Sequence, residues 1–422
     1  MPAARIQVPH HYASIHPAIR REFVDHAAPD GMPLAGILYR PPTTDPDTVL
    51  LAMHPRADFT RHYLAPPLAG AGYAFMGSTT RYLNHDADAL HERLVLDVAG
   101  SVAHLRAAGF KTVVLLGNSG GGSLSAFYLQ QAGKAPGDRL THSPAGDAVP
   151  LAKFDLPMAD GLILLAAHLG EGQFLLDRLD PSVVDEHDPL AVDWRVDMYD
   201  PRNGYRPLAE GASHYSKDFL ATFRAAQRAR CARLDALCRG WCEEAVYYRS
   251  KLGDPALTVT ERARFGRHAM QRRYLLIYRT LADPRYLDLT LDPSDRPLGS
   301  IFSYGRDPIV GNYGEGLARA MSARGWLSTW SGLSSNAELL DTLPDVQVPT
   351  QVICAMADMD IYPSDCDRTF AAVGTADKVN CQLDGAGHYL QPVGPRGAKR
   401  AHPQQRVADE FILPWLRERW PV

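Results

Sequence analysis

The sequence predicts an α/β chain: a mostly parallel central sheet with helices on both faces, and a mainly helical domain inserted late in the fold. Three observations predict it. Near-continuous apolar runs at 49–53, 73–77, 112–116 and 161–167 have the character of strands buried on both faces, and 350–356 and 379–383 again read as strands. Helical patterns lie between them. The rhythm stops near residue 170 and resumes near 348. The expected division is therefore 1–170 as the first part of the sheet domain, 171–340 as the insertion, and 341–422 as the second part.

Each element follows in order. Residues 22–26 and 34–39 flank Pro29-Asp30-Gly31, a turn signal that predicts an antiparallel hairpin ahead of the parallel strands. Residues 87–108 carry Leu90, Leu94, Val98, Val102 and Leu105 at helical spacing. The Pro- and Gly-rich segment 133–160 reads as a surface loop. The insertion opens with an acidic stretch containing Asp180-Pro181, Asp188-Pro189 and Asp200-Pro201, read as loop. It continues with helices expected over 215–252 and 260–281, then a Gly- and aromatic-rich segment over 301–332. A closing helix is expected over 404–419.

Composition narrows the function. The 422 residues carry 44 Lys+Arg against 48 Asp+Glu, a net charge of -4, too even for the basic stripe of a nucleic-acid or acidic-membrane surface. Even charge is compatible with a homodimer without requiring one. Six cysteines form no C-x-x-C pair and are too sparse for a disulfide framework, which favours a reducing compartment. With no apolar leader and no apolar run near the ~20 residues of a membrane span, the expectation is a cytoplasmic chain. Cys231, Cys238 and Cys242 stand over three helical turns, too spread to converge on one zinc. Asp180, Asp185, Glu186, Asp188, Asp193 and Asp197 lack the spacing of a calcium loop and read as a solvated face, as do Arg224, Arg228, Arg230, Arg233 and Arg239.

The chemistry lies elsewhere. Strand 112–116 runs into Gly117-Asn118-Ser119-Gly120-Gly121-Gly122, and residues 123–130 suit a helix. A nucleophile on so sharp a turn points its hydroxyl away from the sheet, and only small neighbours let the backbone bend that tightly. The N–H of Gly120 then faces the point where negative charge develops on an attacked carbonyl. A phosphate-cradling turn is the competing reading, but neither G-x-x-x-x-G-K-[ST] nor G-x-G-x-x-G spacing is present. In this motif the sequence resembles the α/β-hydrolase superfamily, over 22–170 and 348–419.

The resemblance implies a serine, an acid after a later strand and a histidine after the last strand, in that chain order. Strand 350–356 ends in Ala357-Asp358-Met359-Asp360, and strand 379–383 ends in Asp384-Gly385-Ala386-Gly387-His388. Ser119, Asp358 and His388 are thus the expected catalytic triad, with Asp360 as the fallback acid. A second oxyanion donor is implied in the loop after the third strand, Met53-His54-Pro55-Arg56-Ala57. Pro55 has no N–H, so the amide of Arg56 is the expected donor beside Gly120.

His54 is expected to orient substrate. Of Phe302, Tyr304, Tyr313, Trp326 and Trp330, the two tryptophans are the candidates for a pocket wall, against a core reading of equal weight. The resemblance implies no metal and no organic cofactor, and a small-molecule partner only. The expected reaction is hydrolysis of a carboxylic ester of a small to medium, partly apolar substrate through an acyl-enzyme. The same side chains also serve carbon–carbon bond hydrolysis of a diketone, for which Arg56, Arg81 and Asn84 are conceivable polar groups, and lactone hydrolysis or acyl transfer. A ligand receptor on the same fold is the non-enzyme alternative.

Overall fold

A computed structural model describes residues 10–42, 45–83, 85–299, 301, 307–394, 397 and 400–422. Phe302, Tyr304 and Asn84 lie outside the described residues. The central sheet has eight strands: β1 (Arg20–Ala27), β2 (Pro33–Arg40), β3 (Thr48–Ala52), β4 (Ala74–Ser78), β5 (Thr112–Asn118), β6 (Gly161–Leu165), and, after the insertion, β11 (Thr350–Ala355) and β12 (Lys378–Leu383). Their spatial order is β1-β2-β4-β3-β5-β6-β11-β12. β1 and β2 form the expected antiparallel hairpin, β2 pairs antiparallel with β4, and every later pairing is parallel. The hairpin turn puts Gly31 at φ 82°, a conformation that favours glycine.

β3, β4, β6 and β11 are buried along their whole length, which is why they read as unbroken apolar runs. Alternate residues serve opposite faces. Val49, Leu51, Val113, Leu115, Leu162 and Leu164 pack on one face, against α2 (His91–Ala107) and α3 (Gly120–Gly133). Leu50, Ala52, Val114, Leu116, Ile163 and Leu165 pack on the other, against α1 (Ala65–Gly70) and the C-terminal helical segment. That segment runs from Pro403 to Arg419 with a wider π turn at Ala408–Ile412, just before Pro414, whose ring cannot fit a regular α turn.

The insertion departs from expectation in three places. After a short helix, α4 (Glu171–Leu176), its first long helix, α5 (Lys217–Lys251), falls where the spacing predicts it, but α6 spans only Val259–Met270. The chain then becomes the strand β9 (Tyr274–Leu276), because burial alternates from Tyr274 to Ile277, a period of two and not 3.6. β9 pairs with β10 (Ala320–Ser322), and the acidic stretch holds a second hairpin, β7 (Val183–Asp185) and β8 (Asp188–Val192). Finally, the charges are not all on a solvated face. Asp180 is fully buried against Arg279 at 2.7 Å, and Arg230 is buried against Glu186 at 2.6 Å. Cys231 and Cys238 are buried apolar packing, as expected. Among the described residues no helix is long and apolar enough to cross a membrane.

Candidate active site

Strand ends on one edge of the sheet bring the polar residues together, the place where ligands lie in open α/β sheets. β5 delivers Ser119, which stands at φ 56° and ψ -127°, strained for any residue but glycine. The strain is held from both sides. Ser119 N–H and Asn118 Nδ2 both donate to Leu165 O on β6, at 3.2 and 2.9 Å. Asn118 Oδ1 accepts from Tyr63 Oη and from His62 Nε2, each at 3.3 Å. The glycines around the serine answer to close approach: a Cβ on Gly117 would lie 2.5 Å from Gly122 Cα, and one on Gly121 would lie 2.3 Å from Met53 O.

His388, after β12, places Nε2 at 2.9 Å from Ser119 Oγ and Nδ1 at 2.8 Å from Asp358 Oδ2. All three side chains are buried. The other oxygen of Asp358 accepts the N–H groups of Asp360 and Ile361, at 2.8 and 3.1 Å, which leaves Oδ2 for the imidazole. With Nδ1–H held by a carboxylate, Nε2 carries the lone pair that faces the serine hydroxyl. Burial alone would depress the imidazole, but the charge and hydrogen bond of Asp358, with the nearby charge of Asp360, hold its pKa above the ordinary 6.5.

Asp360 occupies a different position. It is buried, and burial pushes its carboxyl up to about 6 against the opposing charge of Arg178. Its partners come from the insertion: Arg178 donates to Asp360 O, lies 4.0 Å from Oδ1, and donates through Nε to Tyr286 Oη at 2.9 Å. The guanidinium also sits 3.6 Å from the Phe174 ring centre. Of the two acids, Asp358 touches the imidazole, and Asp360 joins the acid-bearing loop to the insertion.

Gly120, the residue after Ser119, is ringed by polar groups. A Cβ on Gly120 would meet Glu171 Oε1 at 2.5 Å, His54 Nε2 at 3.0 Å and His168 Nε2 at 3.2 Å. Arg56 Nε is 3.5 Å from Glu171 Oε1, and His168 Nε2 is 3.7 Å from Oε2, yet neither carboxylate oxygen of Glu171 has a hydrogen-bond partner among the described residues. Burial depresses His54 and His168 well below 6.5 and His91 to about 4, so the three rings are neutral near pH 7. The Tyr389 hydroxyl lies close to Ser119 and is pushed up to about 12 by burial.

The amide of Arg56, the expected second oxyanion donor, is already engaged. Arg56 N–H and Ala57 N–H both donate to His54 Nδ1, at 3.2 and 3.0 Å. The Arg56 guanidinium lies 5.2 Å over the Trp330 ring, which brings Trp330 to the edge of the site. Trp326 and Trp330 both belong to the insertion's own core, and Trp326 spends its Nε1–H on Asp235 Oδ1 at 2.7 Å. Arg81 is committed to Asp97 and Asp30, both at 2.7 Å.

Glu171, His168 and Arg178 are the residues that sequence reasoning missed. A signal existed: Leu165 on β6 is the register partner of Asn118 on β5, so whatever follows β6 must lie beside Ser119. Among the described residues no group of three or more His, Cys, Asp or Glu is arranged to hold a metal ion.

No protein-family model and no curated protein matches the chain. Among solved structures it is similar to an esterase domain from Rhodothermus marinus, at 13% identity over 94% of this chain and 98% of that one, with a TM-score of 0.43. It is also similar to the α/β hydrolase GrgF from Penicillium sp. sh18, at 12% identity over 96% and 100% of the two chains, TM-score 0.48. A thermophilic esterase from Thermogutta terrifontis matches at 15% identity over 94% and 98%, TM-score 0.40. Likenesses this distant carry none of the functional argument, which rests on the site itself.

Proposed function

We propose that the protein is an α/β-fold serine hydrolase that cleaves a carboxylic ester of a small to medium, partly apolar substrate. One observation carries the reading: the unbroken hydrogen-bond chain from Ser119 Oγ through His388 to Asp358, at 2.9 and 2.8 Å. As Ser119 Oγ attacks the ester carbonyl, its proton passes to His388 Nε2, and Asp358 stabilises the resulting imidazolium. The carbonyl oxygen, now negative, takes the N–H of Gly120 at the start of α3. His388 returns the proton to the departing alkoxide, leaving an acyl group on Ser119. It then deprotonates a water that releases the acid.

The size of the substrate follows from enclosure: Ser119 is 6% exposed, and Arg56 and Trp330 stand at the edge of the site. Such a nucleophile suits a molecule drawn into a pocket over a polymer surface. The test is a fluorophosphonate, which reacts readily only with an activated serine, followed by intact-mass and peptide mapping, alongside turnover of a panel of soluble short-chain esters. One adduct on Ser119 and hydrolysis of the panel are expected. Folded protein that takes no label at Ser119 would overturn the reading.

A further inference from the structure

We propose that the second oxyanion donor is the side chain of His54, through Nε2–H, in place of the backbone amide of Arg56. The inference deepens the hydrolase reading and rests on Ser119 as nucleophile.

The loop after β3 has one N–H too few for the usual arrangement, because Pro55 has none, and the next two are spent on the His54 ring. That expenditure has a chemical consequence. A ring nitrogen accepting two backbone N–H groups carries a lone pair, so in the neutral imidazole the proton sits on Nε2. Burial, with the neighbouring charge of Arg56, opposes a second proton, which keeps the ring neutral. Nε2–H is then a fixed donor.

Nε2 lies 3.0 Å from the position of a Cβ on Gly120, the residue whose N–H is the other donor. It has no hydrogen-bond partner among the described residues. The ring itself is held at 5.0 Å from that of Phe59. His168 offers the same tautomer, since its Nδ1 accepts from Gly170 N–H at 3.3 Å, but its Nε2 faces the Glu171 carboxylate. Of the groups around Gly120, His54 alone presents a neutral N–H that no carboxylate claims. Preorganised donors of this kind stabilise an oxyanion without reorganising at the moment of reaction.

Three variants separate this role from loop support. In His54→Gln the side-chain amide nitrogen stands near Nε2 and can donate. In His54→Asn the amide oxygen stands near Nδ1 and can still receive the Arg56 and Ala57 amides, with no donor beyond. His54→Ala has neither. We expect His54→Gln to stay within about tenfold of wild type, and the other two to lose ~10²–10³ in kcat with KM little changed. Affinity for a trifluoromethyl ketone, whose adduct carries the oxyanion, should fall in parallel. Equal activity of the Asn and Gln variants, or a Gln variant as slow as the Ala one, would overturn the proposal.

Should any variant fold poorly, the wild type answers alone. With ¹⁵N-labelled histidine, binding of the ketone should move a proton on His54 Nε2 downfield, and a proton on Nδ1 would refute the assignment. A wild type that neither labels at Ser119 nor turns over esters would overturn both readings together. A wild type that does both, with His54→Asn unimpaired, would overturn this one alone.

Discussion

The sheet domain and the insertion are held together by different means. In the sheet domain two large apolar clusters, one on each face, do most of the work, beside a buried ion pair between Arg81 and Asp97. In the insertion the apolar clusters are smaller, and buried arginines stitch distant segments: Arg178 to Asp360 and Tyr286, Arg230 to Glu186, Arg279 to Asp180, and Arg285 to Asp283. The difference teaches where each region is vulnerable. An apolar cluster loses stability in proportion to the volume removed, whereas a buried ion pair collapses when one partner goes, because the other charge is left uncompensated.

If chemistry belongs to the sheet edge alone, Ser119→Ala should remove it while sparing the fold. Turnover of soluble esters should fall ~10⁴–10⁶-fold with the thermal midpoint nearly unchanged, the range seen when a member of such a triad is removed. A variant retaining more than about a tenth of wild-type kcat would take Ser119 out of the mechanism.

The two acids sharpen the comparison further, because one serves the imidazole and the other serves the joint. Asp358→Asn should lower kcat ~10⁴-fold by releasing the tautomer of His388. Asp360→Asn should cost less than a tenth of that. Similar losses in both would mean that Asp360 also acts on the imidazole. Sequence reasoning could rank the pair only by position, with Asp358 directly after the small residues that end the strand. The 2.8 Å contact separates them, and it depends on a loop geometry that no spacing rule encodes.

The same contrast explains what was legible and what was not. Ser119, Asp358 and His388 stand out because small residues crowd around each one at a strand end. The inner strands stand out because burial on both faces leaves no room for charged residues. Arg230 and Asp180 read as solvated charges, since composition cannot distinguish a charge in water from one neutralised by a partner more than 40 residues away. Arg279 is such a partner for Asp180. The truncation of α6 was hidden for a related reason: Leu275 and Ile277 fit an apolar helical stripe as readily as a strand's inner face until β10 supplies the pairing.

Arg178→Met tests the joint directly. It strips the cation from a buried carboxylate and empties three hydrogen bonds, so stability in urea should fall by ~3–5 kcal/mol. A loss below about 1 kcal/mol would show that the joint is held by packing, as the sheet is.

The smallest expected effect is on pH dependence. His388 must be neutral to accept the serine proton, so kcat/KM should rise with pH through its pKa in the free enzyme. Because Asp358 and Asp360 outweigh burial, that midpoint lies above the ordinary 6.5. Asp360→Asn removes one of the two negative charges that favour the imidazolium and leaves the positive charge of Arg178 less opposed. Both changes favour the neutral ring. The rising limb should therefore move to lower pH while the high-pH plateau stays within about threefold of wild type, since the Asp358 contact remains. A limb that moved upward, or did not move at all, would mean that the insertion reaches the catalytic imidazole by geometry only and not through charge.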